Sequence, residues 1–124
     1  MTSLLYKQEA YNIIGVCMEV HKELGKGFSE IVYGDALEIE FKNSGIHFQR
    51  EVKYNINYKG NTLPHCYVAD FIIERNIVLE IKAIETLTKS HVKQTLNYLA
   101  ASKIKLGLLV NFGEDSLTYK RIIL

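Results

Sequence analysis

Asp70 stands in Tyr67-Val68-Ala69-Asp70-Phe71-Ile72-Ile73-Glu74, and Glu80 and Lys82 stand in Ile77-Val78-Leu79-Glu80-Ile81-Lys82-Ala83, with Arg75-Asn76 between the two runs. Charged groups thus interrupt stretches dominated by Ile, Val and Leu, where an unpaired buried ion costs on the order of several kcal/mol. Two carboxylates and an ammonium in this pattern suit a divalent-metal site for phosphodiester hydrolysis. Asp70 and Glu80 supply oxygen ligands for Mg²⁺ or Mn²⁺, and Lys82 orients an attacking water or offsets charge on the phosphate.

The two runs read as a β-hairpin. In the second, alternation puts Ile77, Leu79, Ile81 and Ala83 on one face and Val78, Glu80 and Lys82 on the other. Strict pairing across a two-residue Arg75-Asn76 loop sets Asp70 opposite Ile81, on the wrong face. A loop of Glu74, Arg75 and Asn76 sets Asp70 across from Glu80, within reach of a shared ion, so an odd loop or a bulge is expected. Taken alone, Glu80-x-Lys82 also fits a half-buried strand with an ion pair on its solvent face, worth ~0.2–1 kcal/mol.

The elements that must position this hairpin can be read from periodicity. From Leu4 to Leu24 the inward-facing pattern recurs at Tyr6, Ala10, Ile13, Ile14, Cys17, Val20, His21 and Leu24, the spacing of an amphipathic helix, which Gly25-Lys26-Gly27 ends. Ser29 is the expected N-cap of a second helix carrying Tyr33, Ala36, Leu37 and Phe41 inward and closing near Asn43-Ser44-Gly45. Phe48–Val52 and Tyr54–Tyr58 read as strand, followed by a Lys59-Gly60-Asn61 turn. A third helix is expected over roughly Thr88–Ser102, then strands over Leu106–Phe112 and Leu117–Leu124. A hairpin, a crossover helix and further strands predict an α/β (α+β) sandwich, a mixed sheet with helices packed on it.

A chain of 124 residues, nearly half of them apolar, with one proline and no internal repeat, is expected to be one domain over residues 1–124 that folds alone. The net charge of +1 argues against a broad basic surface for gripping nucleic acid. Lys89, Lys93, Lys103 and Lys105 offer at most a small phosphate-attracting patch. Cys17 lies in a helical pattern and Cys66 in a strand pattern, and no apolar signal segment opens the chain, so a cytoplasmic protein with reduced thiols is expected. No apolar run approaches the length of a bilayer span.

Other chemistries find less support. Cys17 with His21, and His65 with Cys66, invite a zinc reading but make no CxxC or HExxH pattern. His21 is expected to pack between the first helix and the glycine turn. There is no GxxxxGK[ST] loop, GxSxG elbow or dinucleotide fingerprint. On the third helix, His91, Gln94 and Tyr98 share a stripe that either faces the cleft or forms a polar edge.

The segment Gly27-Phe28-Ser29-Glu30-Ile31-Val32-Tyr33 resembles the signature of the GxxExxY family, a branch of the PD-(D/E)XK nuclease superfamily. Val20–Gly25, Tyr67–Phe71, Leu79–Ala83, Gln94–Leu99 and Gly107–Gly113 resemble the same family in the same order. The resemblance implies a restriction-endonuclease-like core and a catalytic cluster of Glu30, Asp70, Glu80 and Lys82. It also implies metal binding by Asp70, Glu80, Glu30 and the Ile81 carbonyl, with Gln94 and Tyr98 as an accessory motif. Ala69 stands where the superfamily pattern has a proline before the Asp, which bears on the bend more than on the carboxylate.

Together these readings predict a metal-dependent nuclease acting on DNA or RNA. The alternative is a catalytically idle nuclease-like scaffold serving as a binding or oligomerisation module. A chain this small covers a short piece of duplex, so a homodimer is a further expectation, with the terminal strand as an exposed pairing edge.

Overall fold

The computed structural model describes residues 5–124. Helix α1 (Lys7–Leu24) buries Ala10, Ile13, Ile14, Cys17, Val20 and His21, the stripe expected from the sequence; Leu4 lies outside the described residues. It ends where Gly25 turns to φ 68° and donates its N–H to the His21 carbonyl at 2.7 Å. Helix α2 (Glu30–Asn43) buries Tyr33, Gly34, Leu37 and Phe41, while Ala36 is only half-buried. Ser29 is the N-cap residue by position, but its side chain makes no cap bond.

The two expected strand pieces are one strand, β1 (Phe48–Tyr58), which continues through Lys53. Lys59 and Gly60, both at positive φ, turn it into β2 (Asn61–Ile73). Then β3 (Ile77–Lys82), α3 (Lys89–Ser102), β4 (Leu106–Asn111) and β5 (Thr118–Ile123) complete the chain. The sheet order is β1-β2-β3-β4-β5, and β3 with β4 is its parallel pair, joined by the α3 crossover. The expected mixed sheet flanked by helices is therefore observed.

Helices α1 and α2 cover one face of the sheet over Phe71, Ile73, Ile77, Leu79, Ile81, Leu106, Leu108 and Val110. Helix α3 covers the other over Ala69, Ile72, Val78, Leu109 and Ile122, with Leu99 at its centre. Burying each Val, Leu, Ile or Phe among them contributes roughly 1.5–3 kcal/mol, so both faces of β3 are committed to core. This overturns the solvent-face reading of Glu80: it sits beneath α3 and is 2% exposed.

The joint after β3 is held by Asn111, which is fully buried. Its Oδ1 accepts from the Ile84 and Gly113 N–H groups at 3.0 Å each, and its Nδ2 donates to Ile84 O and Glu114 Oε2 at 2.9 Å each. A Cβ on Gly113 would overlap the Ile84 backbone, which explains glycine there.

Candidate active site

The site lies where the sheet opens. β2 and β3 pair as Ile73↔Ile77, Ile72↔Val78 and Phe71↔Leu79, leaving Glu74, Arg75 and Asn76 as the loop, with Glu74 and Arg75 at φ 52° and 64°. This is the odd loop that the hairpin arithmetic required, and continuing its register sets Asp70 across from Glu80. The ladder stops there. On the other side β1 and β2 pair at Arg50↔Phe71 and again at Val52↔Ala69, and Glu51 between them takes φ 54°. The interruption forms with Ala69, not a proline, before Asp70.

Side chains take over where the ladder lapses, because carboxylates compete for backbone N–H groups. Glu80 Oε2 accepts the Asp70 N–H at 2.9 Å, and Asp70 Oδ2 accepts the Ile81 N–H at 2.7 Å. Each carboxylate thereby fixes the strand that carries the other.

Both acids are pushed toward their protonated forms. Burial first, and the neighbouring Asp70 second, raise the Glu80 carboxyl to about 9. Burial also raises Asp70, against the Ile81 hydrogen bond that lowers it. Among the described residues the ion pairs are Lys26–Asp115, Lys42–Glu38, Arg50–Asp35 and Arg50–Glu38, so no protein cation lies in salt-bridge contact with Asp70 or Glu80.

Glu30 opens α2, and with Asp70, Ile81, Gly34 and Arg50 it lines a cleft of about 210 Å³. Its placement follows from the glycine turn. The Tyr33 hydroxyl donates to the Gly25 carbonyl at 2.6 Å and accepts from Phe28 N–H at 3.3 Å, while its ring stacks on Phe112 with centroids 4.5 Å apart. The tyrosine of the Gly27-x-x-Glu30-x-x-Tyr33 segment thus clamps the turn from which Glu30 projects.

Lys82 ends β3 half-buried, on the same face as Glu80, and its charge lowers the pKa of both carboxyls. Tyr98, half-buried on α3, has its hydroxyl pushed up to about 12 by burial and then by Glu80 and Asp70, which places it in their field. Gln94, one turn earlier, is exposed. His91 does not face the cleft: its Nδ1 accepts the Thr88 N–H at 3.0 Å and completes the capping box of α3. His21 is also structural, with Nε2 2.9 Å from the Glu114 carbonyl and its ring stacked on Phe112.

Arg50, Glu51 and Gly34 line the cleft without having been foreseen from the sequence. Arg50 pairs with Asp35 at 2.7 Å and Glu38 at 3.3 Å and lies 5.6 Å over the Phe71 ring. Gly34 makes room for it, since a Cβ there would meet Arg50 Nη2 at 2.5 Å. The available signal was a glycine inside a helix, which implies a close neighbour.

Among the described residues, no three His, Cys, Asp or Glu side chains are gathered into a ready-made metal group. The donor chemistry nevertheless fits a hard divalent cation: two carboxylates withdrawn from water and unpaired with protein cations.

A profile of the PD-(D/E)XK nuclease superfamily matches residues 7–122. The chain belongs to the PD-(D/E)XK nuclease superfamily. No curated protein matches it. The crystal structure of SSO0001 superimposes with a TM-score of 0.59 over 95% of this chain at 23% identity, and this PD-(D/E)XK chain spans 57% of that protein's length. An alkaline exonuclease from Laribacter hongkongensis gives a TM-score of 0.51 at 12% identity, covering 98% of this chain and 72% of the exonuclease. These likenesses support a restriction-endonuclease-like core. Among the described residues, no helix is long and apolar enough to cross a membrane.

Proposed function

We propose that residues 1–124 form one nuclease-like domain of the GxxExxY branch, hydrolysing phosphodiester bonds of DNA or RNA with Mg²⁺ or Mn²⁺ in the cytoplasm. The observation that carries this reading is the Asp70–Glu80 pair, two carboxylates across from one another at a gap in the sheet with, among the described residues, no protein cation in salt-bridge contact with either. Stability alone gives no reason to keep such a pair, since burial penalises the ionised form of a carboxyl that has no cation contact.

Asp70, Glu80, Glu30 and the Ile81 carbonyl are the groups that would hold the cation. When bound, it supplies charge neutralisation at a phosphate oxygen and a more acidic water. Lys82, on the Glu80 face, orients the attacking water and offsets charge developing on the phosphate. Tyr98, whose raised pKa keeps its hydroxyl protonated, donates a hydrogen bond toward the same point, and Gln94 at the helix edge contacts the strand being cut. Arg50, on the cleft wall, attracts the scissile phosphate.

The idle-scaffold alternative draws on one observation, the lack of a ready-made three-ligand metal group among the described residues. A homodimer would pair through β5, an edge strand with Tyr119 and Ile123 exposed, and a monomeric mass at micromolar concentration contradicts it.

Labelled single-stranded and duplex DNA and RNA, incubated with Mg²⁺ or Mn²⁺ beside Glu80→Gln, test the nuclease reading. Cleavage that requires metal and disappears in Glu80→Gln supports it. No cleavage of any substrate, or cleavage indifferent to Glu80→Gln, contradicts it.

A further inference from the structure

The β1–β2 hairpin is longer than the sheet it belongs to. β3 pairs with β2 only over Phe71–Ile73, whereas β1 and β2 pair from Phe48↔Ile73 out to Tyr58↔Asn61, with a lapse at Glu51 and a register shift between Asn55 and Asn57. Beyond the Asp70 fork the hairpin is therefore a two-stranded arm. A lone ribbon is marginal in water, and α3 supports the base of this one, where Val52, Tyr54 and Ala69 pack with Tyr98 and Leu99.

Along the supported face runs a row of rings. His65 and Tyr67, two apart on β2, meet edge to face with centroids 4.9 Å apart, and Tyr67 meets Tyr98 of α3 edge to face at 5.5 Å. Tyr54 stands directly across from Tyr67 on β1. His65 is exposed, and Tyr54, Tyr67 and Tyr98 are each half-buried. The row begins on the arm and ends at Tyr98, which lies in the field of Glu80, Asp70 and Glu30.

We infer that His65, Tyr67, Tyr54 and Tyr98 form a stacking track that leads a single nucleic-acid strand into the Asp70–Glu80 fork. The inference rests on the proposed nuclease reading and narrows its substrate to an unpaired strand. Stacking on aromatic faces needs no large positive field, and bases must be unpaired to offer their faces. A net charge of +1 and an acidic site fit that mode better than the phosphate-gripping mode of duplex binders. Lys59, at the arm's turn with its Nζ 5.5 Å over the Tyr58 ring, supplies a local positive charge for the backbone of such a strand.

Aromatic cross-strand neighbours also stabilise hairpins, so the test must separate binding from folding. Fluorescence anisotropy in EDTA, with labelled dT and rU strands of roughly 12 nucleotides and a duplex of equal length, reads binding without hydrolysis. Binding of an unpaired strand of either sugar, tighter than duplex and weakened about tenfold by Tyr67→Ala but not by Tyr67→Phe, is the expected result. Circular dichroism checks folding, and the exposed His65→Ala, with a smaller loss expected, serves if Tyr67→Ala does not fold. Duplex binding as tight as single-strand binding, no binding of either strand, or affinity unchanged in both alanine variants overturns the track. The two readings fail separately. Strand binding by a protein that never cleaves overturns the nuclease reading alone, whereas metal-dependent cleavage with an unchanged KM in Tyr67→Ala overturns the track alone.

Discussion

Asp70 and Glu80 each fix the strand that carries the other: the Asp70 N–H donates to Glu80 Oε2 at 2.9 Å, and the Ile81 N–H donates to Asp70 Oδ2 at 2.7 Å. Backbone groups at a gap in a sheet must find partners, and here the carboxylates provide them. The consequence is a pair of acids placed without cation contact, one of them almost fully buried.

That placement makes the metal-free protein sensitive to pH. The folded pKa of Glu80 is raised to about 9, so the folded state binds more protons than the unfolded state between about pH 5 and about pH 9. Its contribution to stability is fully present below the unfolded pKa and is lost as pH rises through the folded one. In EDTA, Glu80→Gln should leave Tm at pH 5 nearly unchanged and raise it relative to the parent at pH 9. Equal pH slopes for the two proteins, read by thermal melts, contradict the buried-acid assignment.

Much of this was legible in the sequence. Alternation in Ile77–Lys82 gave the face of Glu80 and Lys82, and loop arithmetic gave the register that sets Asp70 across from Glu80. Both depend on local periodicity. What stayed hidden depends on elements far apart in the chain: α3 burying the Glu80 face, Arg50 of β1 passing Gly34 of α2, and Tyr67 of β2 meeting Tyr98 of α3. His91 was ambiguous for a different reason, since a stripe position and a capping position coincide in the first turn of α3.

Lys82 separates binding from chemistry. It shares the Glu80 face, yet it is not among the groups assigned to hold the cation. Lys82→Ala should lower cleavage by about 10²-fold or more, on the scale of losing one charge-stabilising group, while Mn²⁺ affinity stays largely intact. Equal loss of metal binding and cleavage, measured on one preparation, contradicts this division of labour.

Gly34 and Arg50 offer a test in which stability and activity part. An added Cβ at Gly34 displaces the Arg50 guanidinium, a movable group, from its pairs with Asp35 and Glu38. Those solvent-screened pairs contribute little to stability, and alanine improves helix propensity by about 1 kcal/mol. Gly34→Ala should therefore change urea-unfolding stability by less than about 1 kcal/mol while reducing cleavage, because Arg50 no longer lines the cleft. Full activity in a stable Gly34→Ala protein removes Arg50 from the site.

The central claim is that Asp70 and Glu80 form a cation site, and calorimetric titration with Mn²⁺ and Mg²⁺ tests it without guessing a substrate. Saturable binding that is abolished by Asp70→Asn and by Glu80→Gln is the predicted result. No heat of binding up to millimolar metal, or binding that survives both substitutions, contradicts it.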